Sequence, residues 1–592
     1  MVMEDAYRIL QQYFGYETFR PGQEKLIAGI LQGRDVVGIL PTGGGKSLCY
    51  QIPALSLPGL TLVISPLISL MKDQVDGLRE LGISAAKIDG QTEPVAYRDI
   101  MRSAFRGDLK LLYIAPERLA QESFQRAVKN LPIALVAIDE AHCVSQWGHD
   151  FRPSYRQIAA GLSALTPRPI FAALTATATE PVQADIVRGL ALQDPLVYVA
   201  DFDRPNLYFN ILAPSDRKKT LLSFLADGQS AIVYCATRRT VDALSAYLND
   251  QGVTAVAYHA GLSAEDRERH QDAFINDKVQ VAVATNAFGM GIDKPDVRRV
   301  IHYNMPKNIE SYYQEAGRAG RDGAPAEAVL FFNAADIMTN LFLIGQSREP
   351  NARQKLDAML GYAYTGSCLR HYLLRYFQPT EDLPPACGHC AICDGRITTT
   401  DVTEPARMVL SCIARMGQRY GTSLIIDVLR GAKTERIRAQ GFDRLSTYGL
   451  LAKSSKGALR DVITLLAAEG YLAVVGADYP ILKLTEKSRA LLQGEVQLSM
   501  NRPRSVRSGQ GHLETEDLDE TLFHALRQLR REMADNLGLP PYIIFTDRTL
   551  QDLARRMPRT PEDLLAVHGI GAVKAKKYGA PFLLAIRRYL QE

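Results

Sequence analysis

The stretch PTGGGKSLCYQIP, residues 41–53, constrains this chain more than any other. It follows a short apolar run at 36–40 and leads into an apolar segment that can open a helix. A buried strand, a glycine-rich turn and a helix N-terminus together make a phosphate cradle. Glycines let the backbone wrap an anion with successive N–H groups pointing inward, and the helix adds its positive end. Thr42, Gly43, Gly44 and Gly45 form the turn, Lys46 is placed to reach the β- and γ-phosphates of ATP, and the Ser47 hydroxyl to hold Mg²⁺. The usual loop begins with a glycine where Leu40 stands here. The local alternative is a strand–helix turn with a solvated lysine.

At 592 residues the chain has room for about four domains of ~150 residues. With 46% hydrophobic and 23% charged residues it has the composition of an ordinary globular protein. A net charge of +4 is small for this length, so any nucleic-acid surface must come from local clustering. The N-terminal MVMEDAYRILQQYFG lacks the apolar core of a signal peptide, and no apolar run approaches the ~18 residues that span a bilayer. A cytoplasmic protein without a membrane partner is therefore expected. Cys49, Cys143, Cys235 and Cys412 are scattered and read as small buried apolar residues in a reducing compartment.

Residues 4–33 read as helical and carry FGYETFRPGQ at 14–23. Tyr16 and Arg20 can sandwich an adenine ring while Gln23, which both donates and accepts, reads its edge. A capped helix start with Pro21 in its first turn is the competing reading. Next come LTLVISP (60–66), LKLLYIAP (109–116), ALVAIDEAH (134–142) and IFAALTATAT (170–179), separated by helical stretches. Near-continuous apolar runs are the mark of parallel strands buried on both faces, so this is a doubly wound α/β domain. Asp139 and Glu140 follow one such strand, where these sheets present ligands, Asp139 suited to Mg²⁺ and Glu140 to polarising an attacking water. The loop 141–153 holds the only Trp of the chain, and Trp147, His149, Phe151 and Arg152 suit unstacked bases, although a lone Trp is as often a core residue. LTATAT places small hydroxyl residues at a strand end, suited to relaying a state change between domains.

A second α/β unit repeats the rhythm with AIVYCATRRT (231–240), VTAVAYHAGL (253–262), VQVAVATNAFGMGID (279–293) and VRRVIHYNMP (297–306). It has no phosphate loop but carries SYYQEAGRAGRDG at 311–323, with Gln314 and with Arg318 and Arg321 three residues apart. Arginines on one sheet domain and a phosphate loop on another suggest an ATP site in the cleft between them, with an arginine finger. Further on, Cys368, Cys387, Cys390 and Cys393 are spaced C-x₁₈-C-x₂-C-x₂-C. Four thiolates suit a tetrahedral structural Zn²⁺, with an iron–sulfur cluster as the runner-up.

The set PTGGGKS, DEAH, TATAT, ATNAFGMGID and QEAGRAGRDG resembles a superfamily-two helicase motor, and FGYETFRPGQ with SQWGHDFRP is similar to the RecQ family of DNA helicases over nearly the whole chain. The resemblance implies two RecA-like parallel-sheet domains at 1–205 and 206–343. A zinc-binding helical subdomain at 344–404, a winged helix at 405–500, a flexible linker at 501–520 and an HRDC-like helical domain at 521–592 follow. It favours zinc over iron–sulfur and tilts the 141–153 loop towards single-stranded DNA. Helices followed by a hairpin at 471–486 suggest a winged helix, which the resemblance implies grips duplex DNA although such domains also bind proteins. Arg430, Lys433, Arg436 and Arg438 can contact phosphates, and Tyr479 either wedges at the fork or sits in a plain wing. Between Thr521 and Glu592 twelve Lys/Arg face seven Asp/Glu, a net +5, which makes this domain more basic than the chain. Its turn VHGIGAVKAKKYG (567–579) is similar to a helix–hairpin–helix, with Lys574 and the turn's N–H groups suited to DNA phosphate and Tyr542 to base stacking, against a merely solvated basic face.

The implied activity is ATP-dependent unwinding of duplex, forked or branched DNA with three-prime to five-prime polarity, in recombination, repair, replication and the SOS response. The implied molecule is monomeric, nucleoid-associated and partnered by single-strand-binding protein. An RNA helicase and a DNA clamp that uses ATP only as a gate are the rival readings.

Overall fold

The structure, a computed structural model, describes residues 2–41, 43–66, 68–90, 92–145, 148, 151–288, 294–345, 351–378, 383–384, 386–397, 399–475, 481–501 and 519–590. Thr42, Trp147, His149 and Tyr479, all expected in sites, lie outside the described residues.

The apolar runs become two all-parallel sheets. The first comprises β1 (Val36–Ile39), β2 (Leu60–Ile64), β3 (Ala85–Ile88), β4 (Leu111–Ile114), β5 (Ile133–Ile138), β6 (Ile170–Thr175) and β7 (Leu196–Val199). They lie in the order β3-β4-β2-β5-β6-β1-β7. Every residue of β1, β2 and β4 is buried, as helices on both faces require. Because β1, β5 and β6 are close neighbours, the loops at their carboxyl ends meet over one edge. Edge strand β7, whose run LVYVA escaped the sequence reading, is half exposed, with Val197 open to solvent.

The second sheet holds β8 (Leu207–Leu212), β9 (Ala231–Tyr234), β10 (Ala255–Tyr258), β11 (Val281–Ala284), β12 (Arg299–His302) and β13 (Ala326–Phe331), ordered β10-β11-β9-β12-β13-β8. The N-terminal 4–33 segment is not one helix, as read from the sequence. Val2–Ile9 is α-helical and Leu10–Phe14 a π-helical turn, and Gly15 at φ +73° breaks the run before a new helix, Gln23–Leu31. The break frees residues 15–22 as a loop.

Beyond the second sheet, helices Ala334–Gly345, Ala352–Tyr364 and Leu369–Phe377 lead to the cysteine-rich loop. That loop adds to the open edge of the second sheet: Cys390 bridges Phe209 of β8, and the Ala391 N–H donates to the Phe209 carbonyl at 3.0 Å. Helices Thr403–Arg415, Thr422–Leu429, Glu435–Ala439 and Lys456–Ala468 precede an antiparallel pair, β15 (Leu472–Val475) with β16 (Ile481–Leu484). β14 (Thr399–Asp401) pairs with β17 (Ser499–Asn501), so Asn501 belongs to a strand. Asp519 caps a helix that opens at Glu520, inside the stretch read as linker. The C-terminal helices Glu520–Leu537, Pro541–Ile544, Asp547–Arg556, Pro561–Leu565 and Ala572–Tyr589 enclose their own core around Leu526, Phe545, Leu550 and Phe582. Among the described residues no helix is long and apolar enough to cross a membrane.

Candidate nucleotide, metal and nucleic-acid sites

A cleft of about 780 Å³ opens where the two sheet domains face each other. Its walls include Tyr16, Arg20 and Gln23 from the loop 15–22 and the helix after it, Gly43, Gly45, Lys46 and Ser47 from the glycine turn, Asp139 and Glu140 after β5, and Gln314, Arg318 and Arg321 from the second domain. Gly43 and Gly45 take φ +80° and +74°, which an L side chain resists. A side chain on Gly45 would also strike the Gln23 amide at 2.3 Å. Gly44 completes the turn, its N–H donating to the Pro41 carbonyl at 2.8 Å.

The Gln23 amide, expected to read the base, is engaged instead with the phosphate turn. It is buried, its Nε2 donates to the carbonyls of Gly44 (3.2 Å) and Gly45 (3.0 Å), and its Oε1 accepts the Arg20 N–H at 2.8 Å. A guanidinium N–H of Arg20 donates to the Gly43 carbonyl. Both side chains therefore lash the 15–22 loop to the phosphate turn. Lys46 Nζ sits 3.5 Å from the Leu40 carbonyl and also acts electrostatically on Asp139.

Burial, with Glu140 beside it, pushes the Asp139 carboxyl up to about 7, while Lys46 pulls part of the way back. Glu140 itself is held at φ +47°, a strained geometry for a non-glycine residue. The Tyr155 hydroxyl donates to the Asp139 carbonyl at 2.9 Å and steadies the turn. Since the folded chain keeps Asp139 protonated where an unfolded one has released the proton, folded stability is lost as pH rises from 3.8 through about 7. Asp139→Asn is therefore expected to stabilise the ligand-free protein by more than about 1 kcal/mol at pH 8, with the gain shrinking towards pH 5. Thermal melts of both proteins across that range check the sign.

Three residues that were not singled out in the sequence organise this cleft. His142, the last letter of DEAH, is fully buried, with Nδ1 2.8 Å from Thr175 Oγ1 and 3.3 Å from Glu140 Oε2, so the TATAT strand end and the carboxylate share one imidazole. Tyr155 is the second. The third is Arg204, in the connection between the sheets. It donates to the carbonyls of Gly317 (3.2 Å), Ala319 (3.0 Å) and Gly320 (2.9 Å), which carry Arg318 and Arg321 between them. Burial lowers the Arg204 guanidinium to about 10. The polar cluster DRPN at 203–206, between two apolar runs, is the signal that could have found it.

The four cysteines converge. Their Sγ atoms all lie within 4.8 Å of one another, Cys387–Cys393 at 3.9 Å and Cys368–Cys390 at 4.0 Å. A tetrahedral ion with bonds of ~2.3 Å sets its sulfurs just under 4 Å apart, so the set fits one Zn²⁺. The backbone N–H groups of His371 and His389 point at Cys368 and Cys387 Sγ, at 3.5 and 3.4 Å. Arg370, next to this centre, donates to the carbonyls of Arg204 (2.6 Å) and Leu207 (2.7 Å) and ion-pairs with Asp203, which joins the zinc module to the connection between sheets.

The expected nucleic-acid residues are scattered. The Phe151 ring is covered by the Arg156 guanidinium at 5.1 Å, and Arg152 donates to the Pro66 carbonyl at 3.0 Å. Arg436 is exposed on helix Glu435–Ala439, with Lys433 and Arg438 exposed nearby, while Arg430 donates to the Ser454 carbonyl at 2.9 Å. Tyr542 is half-buried. The 567–579 turn departs from expectation. Gly571 packs against the backbone of Gly15, so close that a side chain on Gly571 would come within 2.8 Å of the Gly15 Cα. Lys574, expected at DNA phosphate, is half-buried in the helix that follows, and burial lowers its amine to about 8.

Two facing parallel sheets with a phosphate turn on one and arginines on the other define an ATP-driven helicase motor. Residues 20–185 match the DEAD/DEAH box helicase family and 216–323 the helicase conserved C-terminal domain. Residues 334–394 match the RecQ zinc-binding domain, 396–508 the RQC domain and 519–586 the HRDC domain. The chain is 42% identical over 99% of each chain to the ATP-dependent DNA helicase RecQ of Bacillus subtilis strain 168. It is 43% identical to that of Pasteurella multocida strain Pm70, over 99% of this chain and 94% of that one. The chain belongs to the RecQ family of ATP-dependent DNA helicases.

Proposed function

We propose that this helicase translocates three-prime to five-prime along single-stranded DNA and opens forked or branched duplexes. The ATP-driven motor is best supported by the single cleft that gathers the phosphate turn, the two carboxylates and the arginines from opposite domains, and the polarity by membership of the family. ATP binds there with Tyr16 and Arg20 at the adenine and with Thr42, Gly43, Gly44, Gly45, Lys46 and Ser47 around the phosphates. Gln23 reads the base only by giving up its bonds to the turn. The paired carboxylates and the Ser47 hydroxyl form an oxygen-rich set that suits Mg²⁺, which would be held by Ser47 and Asp139 and would screen phosphate charge. Glu140 orients the attacking water, and Gln314, Arg318 and Arg321 meet the charge that develops on the transferred phosphoryl group. Closure on ATP and reopening after hydrolysis move the strand past Trp147, His149, Phe151 and Arg152, while Arg436 and Tyr479 of the winged helix meet the duplex and Tyr542 stacks on bases. Separating a duplex takes ~1.4 kcal/mol per base-pair step, within reach of nucleotide-coupled stepping.

In this reading the functional units run 1–205, 206–343, 344–404, 405–501 and 519–592, with a tether at 502–518. The protein acts as a cytoplasmic monomer on the nucleoid, beside single-strand-binding protein, in recombination, repair, replication and the SOS response. Strand displacement on partial duplexes tests it. Unwinding is expected with a three-prime tail, not with a five-prime tail or an RNA duplex, and should vanish in Lys46→Ala. ATPase stimulated by DNA without displacement would instead mark a translocase or gated clamp.

A further inference from the structure

The C-terminal helical domain does not stand apart from the motor; it lines part of the cleft between the sheet domains. Arg548, Arg556, His568 and Gly569 line that cleft together with Tyr16, Arg20 and Lys46. Towards the first sheet domain, the Gly569–Gly571 turn abuts Gly15, the residue from which the Tyr16–Arg20 loop starts, and the His568 ring lies 6.1 Å from that of Tyr16. Lys577 pairs with Glu80, which the Tyr578 hydroxyl also approaches at 3.4 Å.

Towards the second domain, the Arg548 guanidinium donates to the Asp322 carbonyl at 2.9 Å, one residue from Arg321. Arg530 is wholly buried and pairs with Asp547 of its own domain at 2.8 Å while reaching Asp277 at 3.4 Å and Asp296 at 3.7 Å. Lys294 binds the same two carboxylates from the motor side, at 2.6 and 2.9 Å. Ionised groups are buried only where they are paired, so this network is a built interface, not an incidental touch.

From this bridging we infer that the C-terminal helical domain is a nucleotide-retaining wall: docked across both sheet domains it holds the 15–22 loop over the adenine, and it must lift for ADP to leave. The inference rests on the cleft being the ATP site. Its residues then take turns, since a turn pressed onto Gly15 and a lysine spent on Glu80 are withheld from DNA for as long as the domain is docked.

Gly571 has φ −86° and ψ 169°, which any residue adopts, so Gly571→Leu leaves the domain's own backbone unstrained and offends only Gly15 and the Gln11 carbonyl of the motor. In the full chain without DNA, release of a fluorescent ADP analogue, chased with ATP, is expected to quicken about fivefold or more in this variant, in the manner of an opened lid. Lys577→Glu should quicken it less, and the swap Lys577→Glu with Glu80→Lys should restore it. A second arm works in the opposite direction. Glu80→Cys with Lys577→Cys, bridged by a short bis-maleimide, should slow release below that of the unbridged protein. Release unchanged by Gly571→Leu and by the bridge would overturn the inference. Failure of the unaltered chain to bind the analogue at all would refute the ATP site itself, which separates the two questions.

Discussion

Replacing Arg321 by alanine is expected to slow ATP hydrolysis by ~10³-fold or more, within the ~10³–10⁵ that a charge-stabilising arginine supplies. The argument is geometric. Arg321 belongs to the second sheet domain, yet its Cγ lies 3.3 Å from where a Cβ on Gly43 would sit, so the side chain lies directly against the phosphate turn of the first. A cation already placed there meets charge that grows during phosphoryl transfer at little reorganisation cost. Nucleotide affinity should change far less than the hydrolysis rate, because the turn, Lys46 and the adenine loop stay in place. Single-turnover hydrolysis measured beside equilibrium binding of a nucleotide analogue separates the two. Arg204→Ala should mimic part of the loss, since its three bonds to the 317–320 backbone hold Arg318 and Arg321 at the cleft. Hydrolysis undiminished in Arg321→Ala would place the second domain outside the chemistry and favour the gated clamp.

The other large effect is expected at the cysteine cluster. Cys390→Ser, or prolonged chelation, should remove one zinc equivalent and much of the ~10–16 kcal/mol that such a site lends a small module. The consequence reaches past the loop. Cys390 and Ala391 cover β8, an edge strand of the second sheet, and Arg370 beside them grips Leu207 at the start of that strand. Uncovered edge strands invite pairing with other chains, so aggregation should accompany zinc loss. Metal content, proteolytic cleavage within 344–404 and light scattering would record the sequence of events. A Cys390→Ser protein that keeps its zinc and its protease resistance would show that the loop is held by packing alone.

Much of the fold was legible because buried parallel strands need near-continuous apolar runs, and β2, β4, β5, β6, β9 and β12 have them. Three strands that escaped notice, β3, β7 and β8, lie at sheet edges, and β7 faces solvent; β13, fully buried inside the second sheet, escaped as well. The cleft residues were legible for a different reason. Lys46, Asp139, Glu140, Arg318 and Arg321 sit in short runs whose chemistry is local: glycines for an anion, carboxylates at a strand end, paired arginines.

Bonds between distant segments carry no such local mark. Nothing in RPGQ says that Gln23 spends its amide on Gly44 and Gly45, because that depends on where a separate turn lies in space. Arg204 looks like a linker residue until the chain brings the 317–320 loop onto it. The C-terminal domain shows the limit most sharply. Its basic composition and glycine turn read as a DNA surface, and both features are real, but the turn is pressed onto Gly15 and Arg530 is buried among motor carboxylates. Sequence by itself determined which groups can bind a phosphate, a metal or a base, since that is a property of the side chains. Tertiary structure alone decided which of those groups face the cleft and which are consumed in holding one domain to another, since a charge is spent on whatever partner the fold brings within about 3 Å.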